Sequence, residues 1–244
     1  AQGPQAGHSL RALLEADPGA VLGARAALTP HGRFPLLLKL IDAGDVLSVQ
    51  VHPDDATAAQ LGEPDVGKTE MWHVLDADPA AELICGLDPG LQREALAAAV
   101  RNGTLEEALV RFPAPAGASV FVPAGTVHAI GGGLLLAEIQ QNSNVTYRLY
   151  DWGRTGQDGT PRQLHVRKAL EATIFGHGHS GRNTPLAFTR GDTRCALLAA
   201  CRHFAAETAT VTGEYFRHTG GGSFHIVLGT AGTLTVAAGD GEML

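Results

Sequence analysis

The 244-residue sequence predicts a mainly β protein with short helical insertions. Short apolar-rich runs bounded by Gly, Pro, Asn and Asp clusters recur through most of the chain. The best helical stretch is Leu91 to Phe112. A hydrophobic content of 44% is enough to bury a real core, as one large domain or two small ones.

In chain order, Ser9 is placed to cap a helix over Leu10 to Glu15, which the Asp17-Pro18-Gly19 cluster ends. Strands follow over Leu36 to Ile41 and Val46 to Val51, then a short helix over Asp54 to Leu61. Met71 to Leu75 and Glu82 to Gly86 read as strands. Within 91–112, Leu91, Ala95, Leu96 and Ala99, then Leu105, Ala108 and Leu109, recur at helical spacing, and Asn102-Gly103 divides the stretch into a helical pair. Ser119 to Val122, Leu134 to Gln140 and Val145 to Tyr150 complete the first group of strands. Beyond Asp151 come a loop over 153–159, a short helix over Leu164 to Ala172 and a glycine-rich connection over Gly176 to Asn183. Ala196 to Phe204 and Ser223 to Leu228 then alternate as strands, before a terminal hairpin whose sheet is expected to continue. The organisation expected is a helical lead-in over 1–27, a larger β domain over 28–160 with the helical insertion near 91–112, and a linker helix with a second, smaller β domain over 161–244, incomplete at its C-terminus.

A formal net charge of -7 argues against nucleic acid as a partner, because a phosphate-backbone binder presents a basic face. A small phosphorylated ligand needs only a local cluster of cations. No run approaches the ~20 apolar residues needed to span a bilayer, so no membrane partner is expected. Cys85, Cys195 and Cys201 are odd in number and form no Cys-x-x-Cys pair, which reads as a reduced, cytoplasmic setting.

The chemistry concentrates in three segments. Gln50 and His52, two residues apart on a strand, project to one face together with Ser48. Glu70 lies in Gly67-Lys68-Thr69-Glu70-Met71-Trp72, and His128 closes Pro123-Ala124-Gly125-Thr126-Val127-His128. Two imidazoles, a carboxylate and an amide oxygen form a mixed N/O set suited to a divalent metal such as zinc, with room for water or substrate. His177 and His179 share a face but sit in a glycine-rich stretch without a carboxylate, and read as surface loop. Lys39 reads as a strand residue with its head at the surface.

Gly44 stands six residues before Gln50, and Gly117 six before Pro123, so the two segments resemble the paired motifs of the cupin barrels. Gln50 replaces the first His of that pattern, and the Glu is displaced to Glu70. Together with Phe34 to Ala43, Leu47 to Asp55, Val122 to Gly131, Glu138 to Gln141 and Thr146 to Trp152, the motifs resemble the type I phosphomannose isomerases of the short bacterial kind. The resemblance implies a cupin (jelly-roll) barrel, zinc held by Gln50, His52, Glu70 and His128, and active-site groups at Lys68, Glu138 and Arg148. The second β domain would be a smaller cupin-like barrel without metal.

The implied reaction interconverts an aldose and a ketose phosphate, mannose 6-phosphate and fructose 6-phosphate, by moving a proton through an enediolate. Glu138, on an apolar strand pattern, is favoured over Lys68 as the base, since burial raises a carboxyl pKa toward a useful value. Arg148 is a fixed cation for the developing oxyanion or the phosphate. Ser48 and Lys68 are left to bind substrate, with the phosphate held by side chains because no Gly-x-x-x-x-Gly-Lys loop exists. Two other readings stay open: a non-catalytic sugar-binding or regulatory cupin, and a metal-dependent cupin oxygenase, against which Gln50 in place of a His argues. Monomer and homodimer are equally open.

Overall fold

The computed structural model describes residues 5–156, 159–176 and 181–237, and the chain separates into two compact units. The first joins residues 1–35 to 216–244. In it Ser9 caps α1 (Leu10–Ala16) by accepting from Ala12 N. Asp17 does more than end that helix. Its carboxylate accepts from Ala20 N and starts α2 (Pro18–Leu22), with Pro at the position where a missing N–H costs nothing. The two chain segments meet through Ala24 N to Gly221 O (2.8 Å) and Arg25 N to Gly222 O (2.9 Å), and the Phe34 and Phe224 rings lie 4.5 Å apart.

The second unit, residues 36–215, is built on antiparallel sheets. Its strands are β1 (Leu36–Ala43), β2 (Val49–Val51), β3 (Glu70–Ala77), β4 (Glu82–Leu87), β5 (Leu109–Pro113), β6 (Ser119–Val122), β7 (His128–Ile130), β8 (Leu134–Gln141) and β9 (Tyr147–Tyr150). They form one sheet of order β1-β8-β3-β6 and another of order β5-β4-β7-β2-β9. Between the sheets lies a buried cluster that includes Trp72, Val74, Leu83, Val120, Val122, Leu134 and Leu136. Alternation along β2 turns Val49 and Val51 the other way, against Leu96 of α4 (Arg93–Asn102) and Ala169 of α5 (Val166–Ala172). On β3 it turns Met71 outward, onto Leu198 and Phe204. Those two belong to a third sheet and its turn: β10 (Leu186–Arg190), β11 (Thr193–Ala200) and β12 (Ala205–Thr210), in that order.

Three expectations are corrected. The helical pair over 91–112 is one helix, α4, closed by Gly103 in the left-handed region (φ 72°), then a single 3-10 turn and the strand β5. Pairing of Leu83 with Phe112 and Ile84 with Arg111 satisfies the backbone of β5 from a neighbouring strand, which outweighs its helical spacing. The run over Ala196 to Phe204 turns at 201–204 and returns as β12, because Cys201 N bonds Phe204 O across the turn. Ser223 to Leu228 contains no strand; its exposed Ile226, Val227 and Leu228 have no ladder partner among the described residues. Half of the terminal hairpin, Gly241 to Leu244, and the pair His177 and His179 lie outside the described residues. No helix among the described residues is long and apolar enough to cross a membrane.

Candidate metal centre and adjoining cleft

The two facing sheets each supply part of the centre. Register pairs Gln50 with His128 on β7 and with Arg148 on β9, so β2, β7 and β9 bring these three side by side in one sheet. Glu70 comes from β3 in the opposite sheet, beside Gln140 and Val122. His52 follows β2 directly, and its carbonyl accepts from Gly125 N (2.7 Å), which holds the loop before His128. Gly125 has φ +88, and a side chain there would press on Ile174 and the Ala172 carbonyl.

His52, Glu70 and His128 are at most 1% exposed and have donor atoms within 4.8 Å of one another. Both rings are held the same way. His52 donates from Nδ1 to Val145 O and His128 from Nδ1 to Thr126 O, each at 2.8 Å, which leaves both Nε2 lone pairs turned inward. Nε2 of His52 lies 3.5 Å from Glu70 Oε2, and Nε2 of His128 lies 3.3 Å from Glu70 Oε1. Donors each ~2.0–2.2 Å from one tetrahedral ion are themselves about 3.3–3.6 Å apart, so the spacing fits a divalent metal. The Gln50 amide lies 3.4 Å from His128 Nε2, and a half-turn about its terminal bond presents Oε1 there.

The charge states agree with that fit. Burial, helped by the Lys68 ammonium, holds His52 well below the usual imidazole range, and burial lowers His128, so both rings are neutral and keep a lone pair to donate. Burial would raise Glu70, but positive charge beside it, Lys68 first, outweighs that and brings its pKa down to about 2. Neither Glu70 oxygen completes a hydrogen bond of good geometry, although Lys68 Nζ lies 2.9 Å from Oε2. A fully buried, ionised carboxylate left so poorly satisfied is costly unless a cation meets it. The chain's own residues therefore form a site able to hold a metal ion.

Lys68 is 5% exposed and also reaches His52 Nε2 at 3.0 Å. Glu138 sits on β8 opposite Trp72 and Lys39. Its oxygens accept from Lys39 Nζ (2.8 Å) and from Trp72 Nε1 (3.2 Å), and the Trp72 ring stands edge-on to His128 at 5.5 Å. Burial and then Glu70 raise the Glu138 pKa, against the pull of Lys68 and Lys39. Lys39 is thus corrected from a surface residue to one whose head turns inward, bonding both Glu138 and Gln140. The one sequence signal was a cation on an otherwise apolar run over Leu36 to Ile41; its pairing with the strand of Glu138 is visible only in the structure. His73 faces away from Glu70, toward Ser119 Oγ at 3.2 Å.

A cleft of about 480 Å³ opens beside the centre, its lining including Asp45, Ser48, Gln50, Arg148, Arg154 and Arg162. Lys68 and Glu138 do not line it. Arg148 pairs with neither Asp151, which Arg154 and Arg162 take, nor Glu138, which Lys39 takes. Its Nη1 donates to Gln163 O, while Nε is buried without a partner. Arg154 and Arg162 were not singled out by the sequence. Asp151 gathers both, and Trp152 follows it in the turn with φ 58, its indole N–H donating to Leu47 O at 2.8 Å.

Fold and site together define a cupin-like barrel protein with a buried His-Glu-His centre able to hold a metal ion and a cleft edged by arginine. Residues 3–82 match the family described as phosphomannose isomerase type I, catalytic domain. The chain is similar to mannose-6-phosphate isomerase ManA of Bacillus subtilis, 45% identical over 139 residues, covering 57% of this chain and 44% of that protein. It is 43% identical over 143 residues to mannose-6-phosphate isomerase of Streptococcus mutans, covering 59% and 45%. The crystal structure of the mannose 6-phosphate isomerase from Bacillus subtilis superposes with a TM-score of 0.78 at 33% identity, over 87% of this chain and 65% of that one. A phosphomannose isomerase mutant from Salmonella typhimurium, 16% identical with a TM-score of 0.54, shares the fold. The resemblance carried by the motifs thus holds in family match, relatives and fold. The chain spans about half the length of these curated relatives.

Proposed function

We propose that this chain is the catalytic part of a zinc-dependent mannose-6-phosphate isomerase. The observation that carries the reading is the meeting of three neutral or anionic ligands at tetrahedral spacing, beside a cleft with three guanidinium groups. Gln50, His52, Glu70 and His128 would hold the ion, and one carboxylate among neutral donors leaves it net positive. Bound there, it would supply a Lewis-acidic centre for the sugar oxygens.

The remaining steps belong to side chains. Glu138, raised by burial and oriented through both oxygens, is suited to take the proton from the carbon beside the carbonyl and return it to its neighbour. Lys68, beside two ligands, is suited to relay a proton or contact the phosphate. Arg148 offers its guanidinium to the enediolate oxygen or the phosphate, and Ser48 a hydroxyl in the same lining. Arg154 and Arg162 are offset by Asp151 and Asp45, so Arg148 supplies the cleft's uncompensated positive charge for a sugar phosphate. Three free cysteines suit a reducing compartment such as the cytoplasm. Residues 161–244 are read as a linker helix and second cupin-like domain; α5 and the β10–β12 sheet support that reading only as far as residue 215, since 216–244 group with 1–35.

The test is a coupled assay of fructose 6-phosphate formation from mannose 6-phosphate, on protein as purified, after chelation, and after zinc is returned. Activity lost with the metal and restored by zinc is expected. No turnover by the zinc-loaded, full-length protein would leave a binding or regulatory cupin in its place.

A further inference from the structure

The segment Val66 to Thr69 carries Lys68 into the metal centre, and its backbone is fixed at successive points. Gly67 N donates to Asp55 Oδ1 (3.0 Å), Lys68 N to Pro53 O (2.9 Å) and Thr69 N to Gln141 Oε1 (2.8 Å). Gln141 then closes the loop on itself, since its Nε2 donates to the same Asp55 Oδ1 at 2.9 Å. The fit at Gly67 is so close that a Cβ there would lie 2.4 Å from Asp54 C and 2.5 Å from Asp55 N. Asp55 Oδ2 accepts from Arg202 Nη2 (2.8 Å), which arrives from the turn between β11 and β12.

A lysine has four side-chain torsions, so its ammonium is placed only if its stem is buried and its Cα is fixed. Both conditions hold here. Lys68 is 5% exposed, and the N–H groups of its two neighbours, Gly67 and Thr69, are bonded to one Asp55–Gln141 pair. We propose that Asp55 and Gln141 are positioning residues that set the Lys68 ammonium against Glu70 and His52, acting on the chemistry only through Lys68. Oδ1 of Asp55 is the shared acceptor that carries this effect, and the Arg202 ion pair on Oδ2 is dispensable. The inference rests on the reading of the site as a metal-dependent isomerase only for its kinetic readout.

The experiment is a double-mutant cycle of Asp55→Ala and Lys68→Ala in the full chain, read both as zinc affinity by chelator competition and as kcat and KM for mannose 6-phosphate. An ammonium beside two ligands opposes a dication, so Lys68→Ala is expected to tighten zinc, and Asp55→Ala to move affinity in the same direction. Asp55→Ala should lower kcat by ~10–100-fold, the scale of a 1 Å misplacement. In the Lys68→Ala background it should add less than about twofold to either readout, given the additivity error for independent sites. Asp55→Asn keeps an oxygen acceptor and should restore near-normal values; Arg202→Ala should leave both readouts unchanged. An undiminished Asp55→Ala effect in the Lys68→Ala background, or failure of Asp55→Asn to rescue a folded protein, would overturn the proposal. Absence of turnover in the wild type would defeat the isomerase reading while the zinc-affinity cycle still decided this one.

Discussion

Replacing Lys39 by Met keeps the stem that lies along β1 and deletes the charge 2.8 Å from Glu138 Oε1. Coulomb attraction between unit charges at that distance is about 6 kcal/mol at an effective dielectric of 20, and about 1.5 kcal/mol at 80. The Lys39 side chain is 38% exposed, so solvent screening puts the interaction near the lower figure. At ~1.4 kcal/mol per pKa unit, losing it raises the Glu138 pKa by about one unit. Lys39 is one of the groups that pull this pKa down, against burial and Glu70, so its removal reinforces an upward shift already present. If Glu138 must be ionised to accept the proton, activity falls as pH drops through its pKa. Lys39→Met therefore moves the acid limb of kcat/KM against pH upward by about one unit, with the alkaline limb in place. Stability responds in the same sense: a carboxyl that binds its proton more tightly when folded makes the variant relatively less stable at neutral pH than in acid. The assay is initial rate across pH with saturating zinc. An acid limb that stays put, or moves down, would refute Glu138 as the titrating base.

Loss of a ligand should separate metal binding from folding: His128→Ala is expected to fold with little bound zinc, measured by elemental analysis beside circular dichroism, and stoichiometric zinc would remove His128 from the ligand set. Trp152→Phe keeps the ring but deletes the N–H bonded to Leu47 O, leaving the positive φ of that turn unsupported. A stability loss of about 1 kcal/mol and a raised KM for the sugar phosphate are expected, from denaturant titration and initial rates. An unchanged KM would show that Trp152 does not place Arg154 and Arg162. Gly67→Ala forces a methyl against the Asp54–Asp55 backbone, and a cost of ~1–3 kcal/mol or more is expected from thermal unfolding. Wild-type stability there would mean the close approach is easily relaxed.

Much of the centre was legible in the sequence because its information is local. The period of a strand put Ser48, Gln50 and His52 on one face, and those neighbours meet again at the cleft and the metal centre. The identities of Glu70 and His128 were legible through their turns, where Gly67 and Gly125 make close backbone approaches that exclude a side chain. Lys39 was misread because apolar periodicity marks which residues lie in a strand and is silent on where a long amphipathic side chain turns its head. The helical pair failed because spacing over 105–112 fits a helix, yet β4 offered that segment a ladder.

By itself the sequence determined the donor types, their spacing and the mainly β class, since these follow from residue chemistry and from a strand's fixed period of two. Only the tertiary structure decided that Glu70 faces Gln50, His52 and His128 from the opposite sheet, that Lys39 and Trp72 share Glu138, and that Asp151 gathers Arg154 and Arg162 at the cleft. Those relations depend on strand register and on which sheet faces which, set by the burial of many side chains at once. No local pattern in the chain encodes them.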